Sequence, residues 1–238
     1  MKVLACMPKI LVLKHKKVPY DDLGLLRKAF IRNGFDLEER VALRGDPLPD
    51  TLDGYEGMVV MGGKMGVYDN LPAINDEMRL MDKVLTSASP KPVFGVCLGC
   101  QMLATVAGGT VHKGDKGFET GFVTVRNVTD DSVFGDELNG AQVYQWHQDT
   151  FTLAPAARHL MKGDTYAHQA IRFGMYAYGT QFHPEVDTAI MRAWHTEPEA
   201  DEGIPSGTKP LAHDLQVATD ALPKIDRWLN RFVKDFYK

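Results

Sequence analysis

Short apolar runs alternate with segments of helical periodicity through the first half of the chain. Residues 10–13, 57–61 and 92–96 are compact apolar stretches of strand length, and residues 41–43 form a weaker one. Between them, 21–33, 75–87 and 101–107 read as helices that each bury one face. In 75–87 that face is Met78, Leu80, Met81, Val84 and Leu85. The segment 21–33 carries acidic residues in its expected first turn. Gly34, Gly62-Gly63 and Gly108-Gly109 stand where elements are predicted to end. Strands separated by helices imply right-handed βαβ units and a parallel sheet.

The pattern then changes. Residues 122–128, 141–144 and 176–182 read as strands with turn residues between them and little helix, so some antiparallel pairing is expected. Residues 197–210 are rich in Glu, Asp, Gly and Pro and read as a surface loop. Leu211, Leu215, Ala218, Leu222, Ile225, Leu229, Phe232 and Phe236 follow at steps of three or four, an amphipathic helical segment that Pro223 is expected to break or kink. No internal repeat or linker interrupts the pattern. The expectation is one α/β domain over 1–238: an open, mostly parallel sheet with helices on both faces and some antiparallel strands in its second half.

Composition narrows the function classes. The 238 residues carry 27 Lys+Arg against 31 Asp+Glu, a net charge of −4, which argues against a nucleic-acid-binding surface. Hydrophobic residues at 44% and charged residues at 24% suit a globular chain, and no stretch is long and apolar enough to span a membrane. Pro8 and Lys9 interrupt the first apolar run, so no signal peptide is expected. Three cysteines make no disulfide framework, and a cytoplasmic location is expected.

The segment Gly95-Val96-Cys97-Leu98-Gly99 sits between a predicted strand and a predicted helix. It has the form of a nucleophile elbow, with a thiol in place of a hydroxyl. Glycines two residues either side remove side chains that would clash across a sharp turn. A cysteine placed there meets the positive end of a helix dipole, which favours the thiolate. The amide of Leu98 would face an oxyanion formed beside the sulfur. A buried cysteine in a tight turn, or a Cys97/Cys100 redox dithiol, fits the same spacing. A metal site does not, because no second Cys-x-x-Cys supplies ligands.

A thiol nucleophile needs a base, and the base needs an orienting group. His183 directly follows the apolar strand predicted at 176–182, at the strand end where α/β sheets carry their sites. In His183-Pro184-Glu185 the proline fixes the turn, so that Glu185 can return to the imidazole. His147 is a second candidate base. The remaining histidines, His15 among them, have no constellation around them and read as surface or satisfied core residues.

At this point the chain resembles the class I, triad-type glutamine amidotransferases, particularly the glutaminase domain of GMP synthase and its stand-alone relatives. The resemblance runs from about residue 10 to residue 192. It rests on Gly62-Gly63-Lys64-Met65-Gly66, Gly95-Val96-Cys97-Leu98-Gly99-Cys100-Gln101, Gln145-Trp146-His147-Gln148-Asp149 and Gln181-Phe182-His183-Pro184-Glu185. It implies a flavodoxin-like fold with Cys97, His183 and Glu185 as the triad. It implies that Gly63 and Leu98 form the oxyanion hole, and that Gly62, Gln101, Trp146, His147, Gln148 and Asp149 lie on the substrate side, His147 as support rather than proton carrier. No metal or cofactor is implied.

Two positions depart from the family pattern. Lys64 stands where proline is common, and Cys100 where histidine is common, one helical turn from Cys97, which makes a Cys97–Cys100 disulfide conceivable. The chain has no Ser-Gly-Gly-x-Asp-Ser loop and no Walker-type loop, and residues 193–238 are too few for a synthetase. Ammonia would pass to a separate synthetase subunit. Alternatively the protein is a stand-alone hydrolase of a small γ-glutamyl conjugate, with Lys14–Lys17, Tyr68, Trp146 and Phe151 as candidate pocket residues. A catalytically silent interaction module is a third reading, opposed by the intact Cys/His/Glu set.

Overall fold

A computed structural model describes residues 7–18, 20–196 and 204–237. The first half winds as β1 (Lys9–Leu13), α1 (Gly24–Arg32), β2 (Asp36–Arg40), β3 (Gly57–Val60), α2 (Pro72–Thr86), β4 (Val93–Val96) and α3 (Leu98–Val106). The second half adds β5 (Val111–Lys113), β6 (Glu119–Thr124), β7 (Arg126–Asn127), β8 (Gln142–His147), β9 (Asp149–Phe151), β10 (Ala157–Lys162), β11 (Ala170–Phe173) and β12 (Ala177–Thr180). Helices α4 (Thr188–Thr196) and α5 (Leu211–Phe236) follow.

Eight strands form the main sheet in the order β2-β1-β3-β4-β12-β11-β10-β7. The first five are parallel, and β11, β10 and β7 extend the sheet by antiparallel pairing. With β12 as the fifth parallel strand this is the flavodoxin-like order. Alternate strand residues face opposite sides. Ile10, Val12, Val59, Phe94 and Tyr178 meet α1 and α5, while Leu11, Leu13, Met58, Val60 and Val93 meet α2 and α3. Two short antiparallel pairs, β5 with β9 and β6 with β8, lie apart from the main sheet.

Several expectations need correction. The strand predicted at 41–43 is a 3-10 turn, and the strand lies just upstream in β2. Its sequence Asp-Leu-Glu-Glu-Arg hides it, because this edge strand is held by ion pairs: Glu38 with Lys9 and Arg40, Glu39 with Lys14 and Arg27. Charges on an edge also discourage strand addition by another chain. Helix α1 starts at Gly24 rather than residue 21, so its first turn holds no acidic residue. Asp21 instead accepts the Leu23 amide through its side chain. The strand expected at 122–128 is two strands that pair in different sheets.

Pro223 lies inside α5 and does not end it. Proline in a helix interior costs about 3 kcal/mol. Ile225, Trp228, Leu229 and Phe232 follow it fully buried, and each such side chain contributes about 1.5–3 kcal/mol, enough to hold the helix through the proline. The expectations for the signal-peptide region at 1–6 and for 197–203 of the predicted loop fall outside the described residues. Among the described residues no helix is long and apolar enough to cross a membrane.

Candidate active site

The parallel register of β4 and β12 brings the main motifs together. Thr180 pairs with Val96, and the Cys97 amide donates to the Thr180 carbonyl at 2.8 Å. Both chains leave the sheet at their carboxyl ends, where open α/β sheets bind ligands. Cys97 has φ 51° and ψ −104°, a left-handed conformation that only a tightly determined turn imposes on a non-glycine residue. A β carbon at Gly95 would overlap the Gly99 carbonyl, and one at Gly99 would overlap the Val60 carbonyl. Gly95 is therefore required by the close return of the turn on itself, and Gly99 by its packing onto β3. Helix α3 begins at Leu98, so the Leu98 amide is one of the N–H groups the helix itself leaves unpaired.

His183 Nδ1 lies 2.8 Å from Glu185 Oε1, and both side chains are buried. The turn that carries them is fixed at two points. The His183 amide donates to the Tyr144 carbonyl and the Leu25 amide to the Glu185 carbonyl, each at 2.8 Å. With Nδ1 occupied, Nε2 has no protein partner among the described residues and is the nitrogen available to Cys97. Burial alone would lower the His183 pKa. The Glu185 carboxylate and then Cys97 outweigh it, and His183 is raised well above the usual imidazole range. The His183 ring also meets Trp194 of α4 in an edge-to-face arrangement, 4.9 Å between centroids.

Gly62 closes the third side. A β carbon there would stand 2.9 Å from His183 Cε1 and 3.4 Å from Cys97 Cβ. Gly63 follows, packed against His15 and Leu98. The two glycines thus place a bare stretch of backbone beside the thiol.

The segment leaving β8 forms the opposite wall. His147 is buried, with Nε2 3.2 Å from Glu119 Oε2 and Nδ1 2.8 Å from the Asp149 carbonyl. Both ring nitrogens are occupied. Gln101 Nε2 is likewise committed, to Gln181 Oε1 at 3.1 Å and the Asp149 carbonyl at 3.3 Å. Trp146 stacks on Tyr144 and meets Trp194 across the cleft rim. Gln148 bonds to Gly114 through side chain and backbone. Tyr68, about half exposed, stands beside the Asp149 carboxylate; partial desolvation and that carboxylate push its phenol up to about 12.

These groups line one cleft of about 840 Å³. Cys97, His183, Glu185, Gly62, Gly63, Gln101, Trp146, His147, Gln148 and Asp149 all border it, as do Lys16, Lys17, Lys64 and Tyr68. Phe151 does not; it is buried in the core beneath α3, and its candidacy as a pocket residue is withdrawn. Lys14 is also elsewhere, ion-paired to Asp22 at 2.6 Å and Glu39 at 3.0 Å. Cys97 and Cys100 are free thiols, and Cys100 is wholly buried against Gly179, which pushes its thiol up.

Two contributors escaped the sequence reading. His15 is paired to Glu77, and Trp194 packs on His183 from a helix the periodicity did not reveal. His15 stands just past the carboxyl end of β1, and the strand-end rule that flags His183 flags it equally.

Residues 27–197 match the family described as Glutamine amidotransferase class-I. The chain belongs to that family. It is similar to a GMP synthase [glutamine-hydrolyzing] of Porphyromonas gingivalis, 29% identical over 173 residues, covering 71% of this chain and 30% of that one. It is similar to γ-glutamyl peptidase 5 of Arabidopsis thaliana, 28% identical over 146 residues, covering 59% of this chain and 57% of that one. This amidotransferase chain therefore spans about a third to somewhat over half the length of these relatives. Among solved structures, a glutamine amidotransferase from Thermotoga maritima superposes with a TM-score of 0.83 at 28% identity, covering 98% of this chain and 99% of that one.

Proposed function

We propose that the protein hydrolyses the γ-amide of a γ-glutamyl compound through a thioester on Cys97. The observation that carries this reading is the left-handed Cys97 turn beside a histidine whose other nitrogen is bound to a buried carboxylate. Cys97 Sγ attacks the γ-carbonyl carbon. The amides of Gly63 and Leu98 hold the oxyanion, and His183 Nε2 gives its proton to the leaving ammonia or amine. Water, giving a proton to His183, then cleaves the thioester and releases glutamate and the thiolate. Glu185 keeps the proton-carrying nitrogen of His183 turned to the sulfur. Trp146, Gln148 and Asp149 border the space for the α-amino and α-carboxylate groups.

Glutamine as substrate, with ammonia passed to a separate synthetase subunit, is the first form of this reading. The size of the cleft favours a second. A volume of about 840 Å³ falls in the range that encloses drug-sized ligands, more than a glutamine side chain occupies. The aromatic rim of Trp146 and Trp194, with Lys16 lying 5.6 Å over the Trp194 ring, could receive a substituent on the leaving amine. A stand-alone hydrolase of small γ-glutamyl conjugates fits that space.

A panel assay separates the two. The isolated chain is incubated with glutamine and with γ-glutamyl amides bearing larger amines, and glutamate release is measured. Strong turnover of conjugates by the chain alone supports the hydrolase. Weak activity that rises when a cell extract is added supports the partner-dependent amidotransferase. Full activity retained in Cys97→Ala would refute both.

A further inference from the structure

The chemistry above assigns no task to a buried pair beneath the Gly62-Gly63 loop. His15 Nε2 lies 2.9 Å from Glu77 Oε2, and His15 Nδ1 lies 3.1 Å from the Gly62 carbonyl oxygen. Glu77 is fully buried and sits on the face of α2 that otherwise presents Ile74, Leu80, Met81 and Val84 to the core. A carboxylate placed there costs several kcal/mol unless a partner meets it. Helix α2 thus carries this carboxylate to reach one ring.

The ring in turn reaches one peptide. A carbonyl oxygen only accepts, so Nδ1 carries a proton and donates it to Gly62. The other bond needs one proton, held by Nε2 or by Glu77. In a trans peptide the N–H points opposite to the C=O across the same plane. Pulling the Gly62 carbonyl toward His15 turns the Gly63 N–H away from His15. Gly62 itself stands against the thiol, since a β carbon there would meet Cys97 and His183. Two glycines in succession have no side chains to fix that plane, and glycine backbone is the most costly to order.

We propose that His15, held by Glu77, is a positioning residue that orients the Gly62–Gly63 peptide so that its N–H faces the oxyanion formed at Cys97. The His15 side chain is only 1% exposed, and both its ring nitrogens are engaged within the protein, by Glu77 and by the Gly62 carbonyl. The proposal rests on the thioester reading, since only an oxyanion gives the peptide's orientation a kinetic consequence.

The test compares wild type, His15→Leu and His15→Asn with γ-glutamyl-p-nitroanilide as substrate and, separately, with iodoacetamide as a thiol probe. The asparagine amide nitrogen takes the place of Nδ1. Removing an oxyanion donor outright costs about 10²–10³ in kcat, so loosening its peptide should cost about 10- to 50-fold. We expect that loss in His15→Leu with KM nearly unchanged, and a substantial recovery in His15→Asn. Alkylation of Cys97 forms no oxyanion and should keep its wild-type rate within about twofold. Unchanged kcat in His15→Leu, no recovery in His15→Asn, or a parallel fall of alkylation and kcat each overturns the proposal. If His15→Leu does not fold, Glu77→Gln carries the same comparison, with a smaller kcat loss expected. A wild type without γ-glutamyl turnover counts against the proposed function itself. Normal wild-type turnover with indifferent variants counts against His15 alone.

Discussion

Glu185 meets His183 at Nδ1, 2.8 Å away, and so reserves Nε2 for the Cys97 side. The same contact sets the charge of the ring. The carboxylate is the largest influence raising the His183 pKa, ahead of Cys97, and it opposes the lowering effect of burial.

A pH dependence follows. Because His183 is raised, its imidazolium persists above the usual histidine range and is lost as pH rises through the folded value. In the proposed mechanism protonation of the leaving amine needs that imidazolium, so the alkaline limb of kcat/KM should lie well above the ordinary histidine pKa. Glu185→Gln removes the main raising influence and leaves burial opposed by Cys97. Its alkaline limb should move to lower pH, and kcat should fall on the order of 10²–10⁴-fold. A pH–rate profile of both proteins checks this; an alkaline limb that stays in place in Glu185→Gln contradicts the assigned role.

The elbow glycines have a steric role that stability measurements can read. In Gly99→Ala the new methyl overlaps the Val60 carbonyl, which is backbone of a central strand and has nowhere to go. Overpacking of this kind costs about 1–3 kcal/mol, and the upper end is expected here. Urea denaturation should show a clear drop in midpoint with an unchanged slope. Gly117→Ala is the control for a changed glycine: a β carbon there meets nothing within 4 Å, so any loss comes from its left-handed φ of 80° alone. Equal midpoints for Gly99→Ala and wild type would contradict the packing account.

The two described cysteines should react differently. Burial pushes the Cys100 thiol up and seats it against Gly179, whereas Cys97 borders the cleft. Thiolates are the reactive form, so mild peroxide or an alkylating reagent should modify Cys97 in the native protein and spare Cys100. Peptide mass spectrometry should therefore find no Cys97–Cys100 link. A high yield of that disulfide would show that Cys100 leaves its packed position readily.

The parts legible in sequence were those built from neighbouring residues. The strand, elbow and helix around Cys97 are continuous, and His183 and Glu185 share one turn, so spacing alone points at them. The parallel half of the sheet was legible for the same reason, since β1, β3 and β4 are buried on both faces and read as apolar runs. Contacts between distant segments were hidden. Strand β2 is stabilised by ion pairs to β1 and α1 that no periodicity displays. Strand β10, Ala-Arg-His-Leu-Met-Lys, shows no clean alternation because only Leu160 and Met161 are buried. The His15–Glu77 pair joins the end of β1 to the middle of α2, and each residue alone looks ordinary. At Pro223 local propensity spoke for a break, and tertiary burial carries the helix through it.

The central claim is that Cys97 becomes covalently attached to a γ-glutamyl group. The most direct measurement is an acid quench during steady turnover of a γ-glutamyl amide, followed by peptide mass spectrometry. The account predicts a glutamyl adduct on the peptide containing Cys97, absent from Cys97→Ala, which should bind substrate and release no glutamate. Glutamate release by Cys97→Ala at the wild-type rate, with no adduct on the wild-type peptide, would contradict it.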